Sequence, residues 1–415
     1  MSKKLQPRLR FKGFTDAWTQ RKVGELVVNL VAGVSVRSSD VDTGVSVLKT
    51  SAVTNGKVDS SETKPVIYED ISRAKASLVK ESILISRMNT PALVGAVGIV
   101  ETTEDSVYLP DRLWMAQVVK DVNPNWLNQA LNTPQQSQAI TSLASGTSGS
   151  MKNISRSQML DLEVNIPPGR VEQTHIGEFF QVLDNLITIN QRKCDLLQDL
   201  KRAYLQHLFP TPGEAVPCLR LSGFNDDWRA RPLKEVATKV LRKNTDHAFT
   251  EVLTNSAEYG IISQRDFFDK DIANDENIGG YYLVQQGDFV YNPRISNMAP
   301  VGPIKQNQLG RTGVMSPLYF VFRVEGVNGK YLSYYFSSAK WYRFMTLNGD
   351  TGARADRFAI SDSVFLEMPI PIPSMEEQDR ISEFFDCLDH FTGAQRDRVG
   401  CLQTLKRAYL QQMFV

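Results

Sequence analysis

Residues 172 to 209 align without a gap on residues 377 to 414, and 18 of the 38 positions are identical. A repeat of this length constrains the chain to one half-molecule built twice. The shared tail is Leu200-Lys201-Arg202-Ala203-Tyr204-Leu205-Gln206, which returns as Leu405-Lys406-Arg407-Ala408-Tyr409-Leu410-Gln411. The shared head is Glu172-Gln173 with Glu178-Phe179-Phe180, which returns as Glu377-Gln378 with Glu383-Phe384-Phe385. A second matched pair opens each half: Pro7, Leu9, Arg10, Gly13, Phe14, Asp16, Trp18, Arg21 and Glu25 recur as Pro217, Leu219, Arg220, Gly223, Phe224, Asp226, Trp228, Arg231 and Glu235. The segments between opening and repeat hardly match, so the frame is duplicated and the inserts differ.

Both repeats carry a heptad rhythm, with apolar slots alternating by four and three. One seam is Ile176, Phe180, Leu183, Ile187, Asn190, Cys194, Leu197, Lys201, Tyr204 and Leu208. The other is Ile381, Phe385, Leu388, Thr392, Gln395, Val399, Leu402, Lys406, Tyr409 and Met413. The pattern predicts two long helices, each about 57 Å at 1.5 Å per residue. Polar seam positions cost stability but fix register, and Gly393 and Gly400 weaken the second helix. Pro167-Pro168 and Pro371-Ile372-Pro373 precede the helices, and Ser374 with Glu377 has capping-box spacing. Pro210-Thr211-Pro212-Gly213 ends the first helix. If the helices pair with each other, an antiparallel arrangement is expected, because it relates equivalent halves by a pseudo-two-fold and sets the inserts at opposite ends of a rod.

Within the inserts, Ser82–Ser86, Leu113–Val119, Asp288–Tyr291 and Leu318–Phe322 have strand character. Helices are expected from Trp126 to Leu131 and from Lys330 to Phe344, and strands at Ile154 and Ile360. The expected fold class is α+β: two mixed α/β domains joined by two long antiparallel coiled-coil helices. The boundaries read as 1–165 for the first domain, 166–210 for a central spacer helix, 211–370 for the second domain and 371–415 for a C-terminal spacer helix.

Composition excludes several classes. Usage that is 42% hydrophobic and 22% charged is ordinary for a globular chain. The apolar uncharged stretch Ala92 to Val100 is far short of a membrane span, so a cytoplasmic location is expected. Cys194, Cys218, Cys387 and Cys401 lack paired spacing, and Cys194 and Cys401 read as buried free thiols within helices. His175, His207, His247 and His390 are scattered and read as lone surface residues, so no metal site is expected. There is no phosphate-binding loop ending in Gly-Lys-Ser/Thr, no His-Glu-x-x-His and no nucleophile constellation. Tyr291-Asn292-Pro293-Arg294 is a partial likeness to the Asn-Pro-Pro-aromatic motif of adenine methyltransferases, but Arg294 stands where the second proline belongs. Residues 29 to 165 hold 12 basic against 14 acidic side chains and residues 239 to 370 hold 14 against 14, so the inserts are not basic domains.

The order of variable domain, long helix, variable domain, long helix, with Leu-Lys-Arg-Ala-Tyr-Leu-Gln closing both helices, resembles the specificity subunit of type I restriction-modification systems. Arg10-Phe11-Lys12-Gly13-Phe14 with Trp18, Ile370-Pro371-Ile372-Pro373 before Glu377-Gln378, and Leu197-Gln198-Asp199-Leu200-Lys201 are of that family's type, and the resemblance covers essentially the whole chain. It implies a non-catalytic DNA reader in which each insert reads one half of a split, asymmetric target in double-stranded DNA. The paired helices would set the gap and dock two modification (methyltransferase) subunits, which restriction (translocase and endonuclease) subunits join. The chain itself would bind no cofactor; S-adenosylmethionine, ATP and Mg belong to those partners. A coiled-coil interaction scaffold without DNA readout is the alternative that heptads alone leave open.

Arginine reads guanine and Asn or Gln reads adenine in the major groove. Arg87 lies eight residues before Gly95 and Arg294 eight before Gly302, followed by Asn89 and Thr90 in one insert and Ser296 and Asn297 in the other. These are candidate DNA-contacting loops. Later, Gly146-Thr147-Ser148-Gly149 leads to Lys152 and Asn153, and Gly349-Asp350-Thr351-Gly352 leads to Arg354 and Arg357. Glycines there would let backbone amides approach phosphate. A structural ion pair for each arginine and a plain turn for each glycine loop are the competing readings. Trp18 and Trp228 belong to the shared frame and read as packing residues. Phe180, Leu183, Leu197, Tyr204, Phe385, Leu388, Leu402 and Tyr409 are candidates for the helix pair and partner interface.

Overall fold

The computed structural model describes residues 5–54, 56–146, 150–267, 275–351 and 356–415. It divides into two compact units, Met1–Gln191 with Asp397–Val415, and Arg192–Arg396. Each unit therefore takes the start of one long helix and the end of the other.

In the first unit the central sheet runs in the order Val27–Ala32, Leu113–Val118, Ile83–Ser86, Val97–Ile99, Gly56–Val58, Val53–Thr54. All four residues of Ile83–Ser86 are buried, as a strand enclosed on both faces requires. A second sheet orders Thr63–Pro65, Ser46–Leu48, Glu104–Tyr108 and Ser77–Leu78. In the second unit the corresponding sheet is Ala237–Lys239, Phe320–Val324, Phe289–Tyr291, Ile304–Gln306. Two strand pairs accompany it, Leu253–Ser256 with Gly260–Ser263 and Tyr282–Val284 with Gly313–Met315. Gly95 and Gly302 turn the chain into the fourth strand of each sheet with φ of 81° and 82°. A Cβ there would lie 2.7 Å from Ile140 Cγ2 and 2.1 Å from the Asn292 carbonyl oxygen, so glycine is required on two counts.

Each domain closes at its foot with one strand pair, Thr19–Lys22 against Glu163–Ile166 in the first and Arg229–Pro232 against Pro369–Ile372 in the second. The long helices follow, Arg170–His207 and Met375–Met413. Every seam position named above is buried or half-buried. In the first unit Phe179 meets Tyr409 edge-on at 4.9 Å and Lys406 reaches Asp184 at 2.7 Å. In the second, Phe384 meets Tyr204 edge-on at 4.8 Å and Lys201 reaches Asp389 at 2.5 Å. Both sets run antiparallel, and each is the other with the two helices exchanged.

Four local expectations need correction. Cys194 is buried, but Cys401 is exposed, because it lies off the seam. The helix expected from Lys330 to Phe344 is two, Gly329–Ser337 and Tyr342–Asn348. Ser338 donates to the Tyr335 carbonyl at 2.6 Å and accepts from Lys340 N, diverting the backbone from helical pairing. Ile154 and Ile360 lie in no strand, since Ser155 and Ser361 immediately cap helices Arg156–Asp161 and Asp362–Leu366. The capping box is half formed: Ser374 Oγ accepts from Glu377 N at 3.3 Å, while the Glu377 carboxylate is engaged elsewhere. No helix among the described residues is long and apolar enough to cross a membrane.

Candidate nucleic-acid interface

The shared head of each helix anchors its domain. Glu172 accepts both forks of the Arg10 guanidinium at 2.6 and 2.7 Å, and Glu377 accepts Arg220 at 2.8 Å twice. Both carboxylates are buried, and each pair raises the arginine's pKa chiefly through these hydrogen bonds. Gln173 Oε1 accepts from Asn123 N at 2.8 Å, and Gln378 Oε1 from Asn328 N at 2.9 Å. Those asparagines cap helices Pro124–Leu131 and Gly329–Ser337. Sequence reasoning found this Glu-Gln pair as a repeat but not its partners. Trp18 and Trp228 are buried in the same regions, as packing residues.

On this frame each domain brings its two candidate loops together. In the first, Met88–Asn89 pairs with Lys152–Asn153, and Ile154 N donates to the Arg87 carbonyl at 2.8 Å. In the second, Arg294 bridges Arg357, and Phe358 N donates to the Pro293 carbonyl at 2.8 Å. The hydrogen-bond register thus places Arg87 where Pro293 stands and Met88 where Arg294 stands. Equal spacing to the following glycine does not make the two arginines structural equivalents.

Their surroundings differ accordingly. Arg87 is half-buried, with Nε donating to the Asp111 carbonyl at 2.8 Å and its guanidinium 5.8 Å from the Trp114 ring centre. Asn89 is buried and spends its amide inside the loop, on the Thr50 carbonyl, Ser86 Oγ and Thr90 N. Thr90 is exposed, and Lys152 folds its ammonium onto the Gly146 carbonyl at 2.9 Å. Asn153 is half-buried with Oδ1 unpartnered. In the second domain Arg294, Ser296 and Asn297 are exposed. With Arg357 they line a cleft of about 760 Å³ that also holds Gln264 and Tyr281. Gln264 lies far from the loops in sequence, and no local pattern marks it. Arg354 and residues 147–149 lie outside the described residues.

Each unit thus carries its own polar loop cluster, unlike the other's, on one duplicated frame. The family model for the type I restriction modification DNA specificity domain matches residues 17–198 and again 225–398. The chain belongs to this family. A putative type I restriction enzyme MjaX specificity subunit from Methanocaldococcus jannaschii is 22% identical over 419 residues, covering 94% of this chain and 91% of that protein. The crystal structure of the type I restriction-modification system S subunit from M. genitalium matches with a TM-score of 0.61 at 14% identity, covering 99% of both chains. A chain from a structure on complex assembly and conformational transition of the type I R-M system matches with a TM-score of 0.53 at 16% identity, over 96% of this chain and 97% of that one. These two structures share the fold. Members of the family confer DNA sequence specificity without catalysis, and type I specificity subunits work with methylase and restriction subunits.

Proposed function

We propose that each recognition domain reads one half of a bipartite, asymmetric target, while the paired helices set the spacing and dock two modification subunits in the cytoplasm. The functional divisions follow the sequence boundaries, 1–165 and 211–370 for the readers and 166–210 and 371–415 for the helices. One observation carries the reading: frame contacts recur in both units while the loops mounted on them differ in register and chemistry. In the second domain the bases would meet Arg294, Ser296, Asn297 and Arg357 at the cleft, and Arg354, outside the described residues, stays a candidate on its sequence alone. In the first they would meet Arg87, Thr90, Lys152 and Asn153, with Asn89 shaping the loop.

The test maps methylated adenines in cells carrying the chain, then repeats the mapping after the first domain is exchanged for another family member's. One half-site is expected to change and the other to persist. Two unchanged half-sites would refute the two-reader model.

Docking has its own surface. Besides the buried seam, the central helix exposes Val182, Leu186 and Ile189 in the first unit and Leu196 and Leu200 in the second, again at heptad spacing. The C-terminal helix exposes Phe391 in the second unit and Leu405 in the first, in the same heptad phase as the exposed Cys387 and Cys401. A second apolar stripe of this spacing fits an amphipathic helix from a partner. Leu196→Glu with Leu200→Glu is expected to weaken association with purified modification subunits at least tenfold, since each leucine loses about 1.5–3 kcal/mol of burial. Unchanged association in a titration would remove the stripe from the interface.

A further inference from the structure

We propose that Arg37 and Arg73, both held by the buried Asp70, clamp the DNA backbone beside the loop that opens at Arg87. The proposal rests on the first domain reading DNA, as argued above, and adds the residues that hold phosphate there.

Asp70 is 3% exposed and accepts from Arg37 N at 2.9 Å and from Arg73 Nη1 at 3.0 Å. The Arg37 backbone N–H, then its side chain, holds the Asp70 pKa down to about 2. The Arg37 guanidinium adds only long contacts to the same carboxylate, at 3.4 and 3.5 Å, and its side chain is 70% exposed. The Arg73 side chain is 59% exposed, with Nη2 donating to the Ser35 carbonyl at 3.4 Å. Each guanidinium has five donors. The aspartate orients two forks and leaves most of their donors facing solvent.

Backbone contacts tie this cluster to the candidate reading loop. Gly33 packs on the Leu109 backbone so closely that a Cβ would lie 1.7 Å from its carbonyl oxygen. Leu109 N donates to the Ala76 carbonyl, and Arg87 N donates to the Arg112 carbonyl, each at 3.1 Å. Lys75 and Arg112, on these same segments, are exposed. Glu69 and Asp111 are the acidic neighbours along them. The first insert is acidic overall, 14 against 12, so this gathering of arginine and lysine does not follow from a basic domain. Planar guanidinium forks match pairs of phosphate oxygens, and phosphate contacts position a reader without specifying sequence.

The test uses the chain assembled with its modification subunits and a duplex carrying the mapped target. Arg37→Gln with Arg73→Gln is expected to reduce the slope of log K against log salt by about 1.8, roughly 0.9 per lost phosphate contact. Target and scrambled duplexes should weaken by the same factor. Because the pair leaves the buried Asp70 carboxylate with the Arg37 backbone N–H but neither guanidinium, the same substitutions with Asp70→Asn are measured alongside and should give the same slope. An unchanged slope in the triple variant overturns the clamp. So does weaker association with modification subunits at an unchanged slope, the mark of an acidic protein surface as the true partner. First-domain reading is judged separately on the unsubstituted complex: if changing only the first half-site costs it no affinity, that reading fails whatever the slope does.

Discussion

Removal of Leu410 to Val415 is expected to unfold the first recognition domain while the second stays folded. Leu410, Met413 and Phe414 are buried in the first domain's core, although the chain reaches them only after completing the second. The Phe414 ring lies 6.1 Å from Trp18, 6.4 Å from Trp126 and 5.9 Å from Phe180. Leu9 N donates to the Gln412 carbonyl, and Asn165 Nδ2 to the Val415 carbonyl, each at 2.9 Å. Deleting a large buried side chain costs about 2–5 kcal/mol, so losing three approaches the ~5–15 kcal/mol that holds a domain folded. Phe414→Ala alone should cost about 3–5 kcal/mol. The second domain is filled instead by Leu205, Leu208 and Phe209, which the deletion leaves in place. Hydrogen exchange would show peptides of residues 17–165 losing protection while those of 229–372 keep it. Retained protection in the first set would mean that the tail only rests on that core.

The heptads were legible because coiled-coil packing is periodic: Phe180, Leu183 and Cys194 had to be buried together once the four-and-three rhythm was recognised. Cys401 was misread because membership of a helix does not say which face a residue takes, and it sits outside the seam. Glu172 and Glu377 were visible as identities without a role, since Glu172 meets Arg10 across 162 residues and long-range pairing leaves no local period. The helix expected through Lys330 to Phe344 broke where serine side chains compete for the backbone, a choice that tertiary packing around the buried Trp341 decides.

The candidate interface was legible as segments and not as geometry. Both loops near Arg87 and Arg294 pair with the later loops picked out by their glycines, yet the hydrogen-bond register offsets the two arginines by one position. A one-residue offset in an extended segment turns a side chain to the other face, which fits a half-buried Arg87 and an exposed Arg294. Asp70 carried no signal in the sequence. It stands three residues before Arg73, and only the fold buries it beneath Arg37 as well.

Glu377→Ala is expected to cost the second domain about 3–5 kcal/mol, the range for removing one partner of a buried ion pair. Glu377 is 1% exposed and serves three donors, two from Arg220 and Trp228 Nε1 at 3.2 Å. Its loss leaves the indole N–H without an acceptor, and the guanidinium keeps only the Asp226 carbonyl at 2.6 Å. Glu172→Ala should cost less. Glu172 serves Arg10 alone, and Trp18 Nε1 is already unpartnered, so one fewer buried donor is orphaned, a difference of about 1–3 kcal/mol. Glu377→Gln keeps the shape and an acceptor for the indole while losing the charge, and should fall between wild type and Glu377→Ala. Denaturant unfolding followed by tryptophan fluorescence, with hydrogen exchange assigning each transition to its domain, measures all three. A larger loss for Glu172→Ala than for Glu377→Ala would show that the Asp226 carbonyl left to Arg220 outweighs the indole hydrogen bond, and would overturn this ordering.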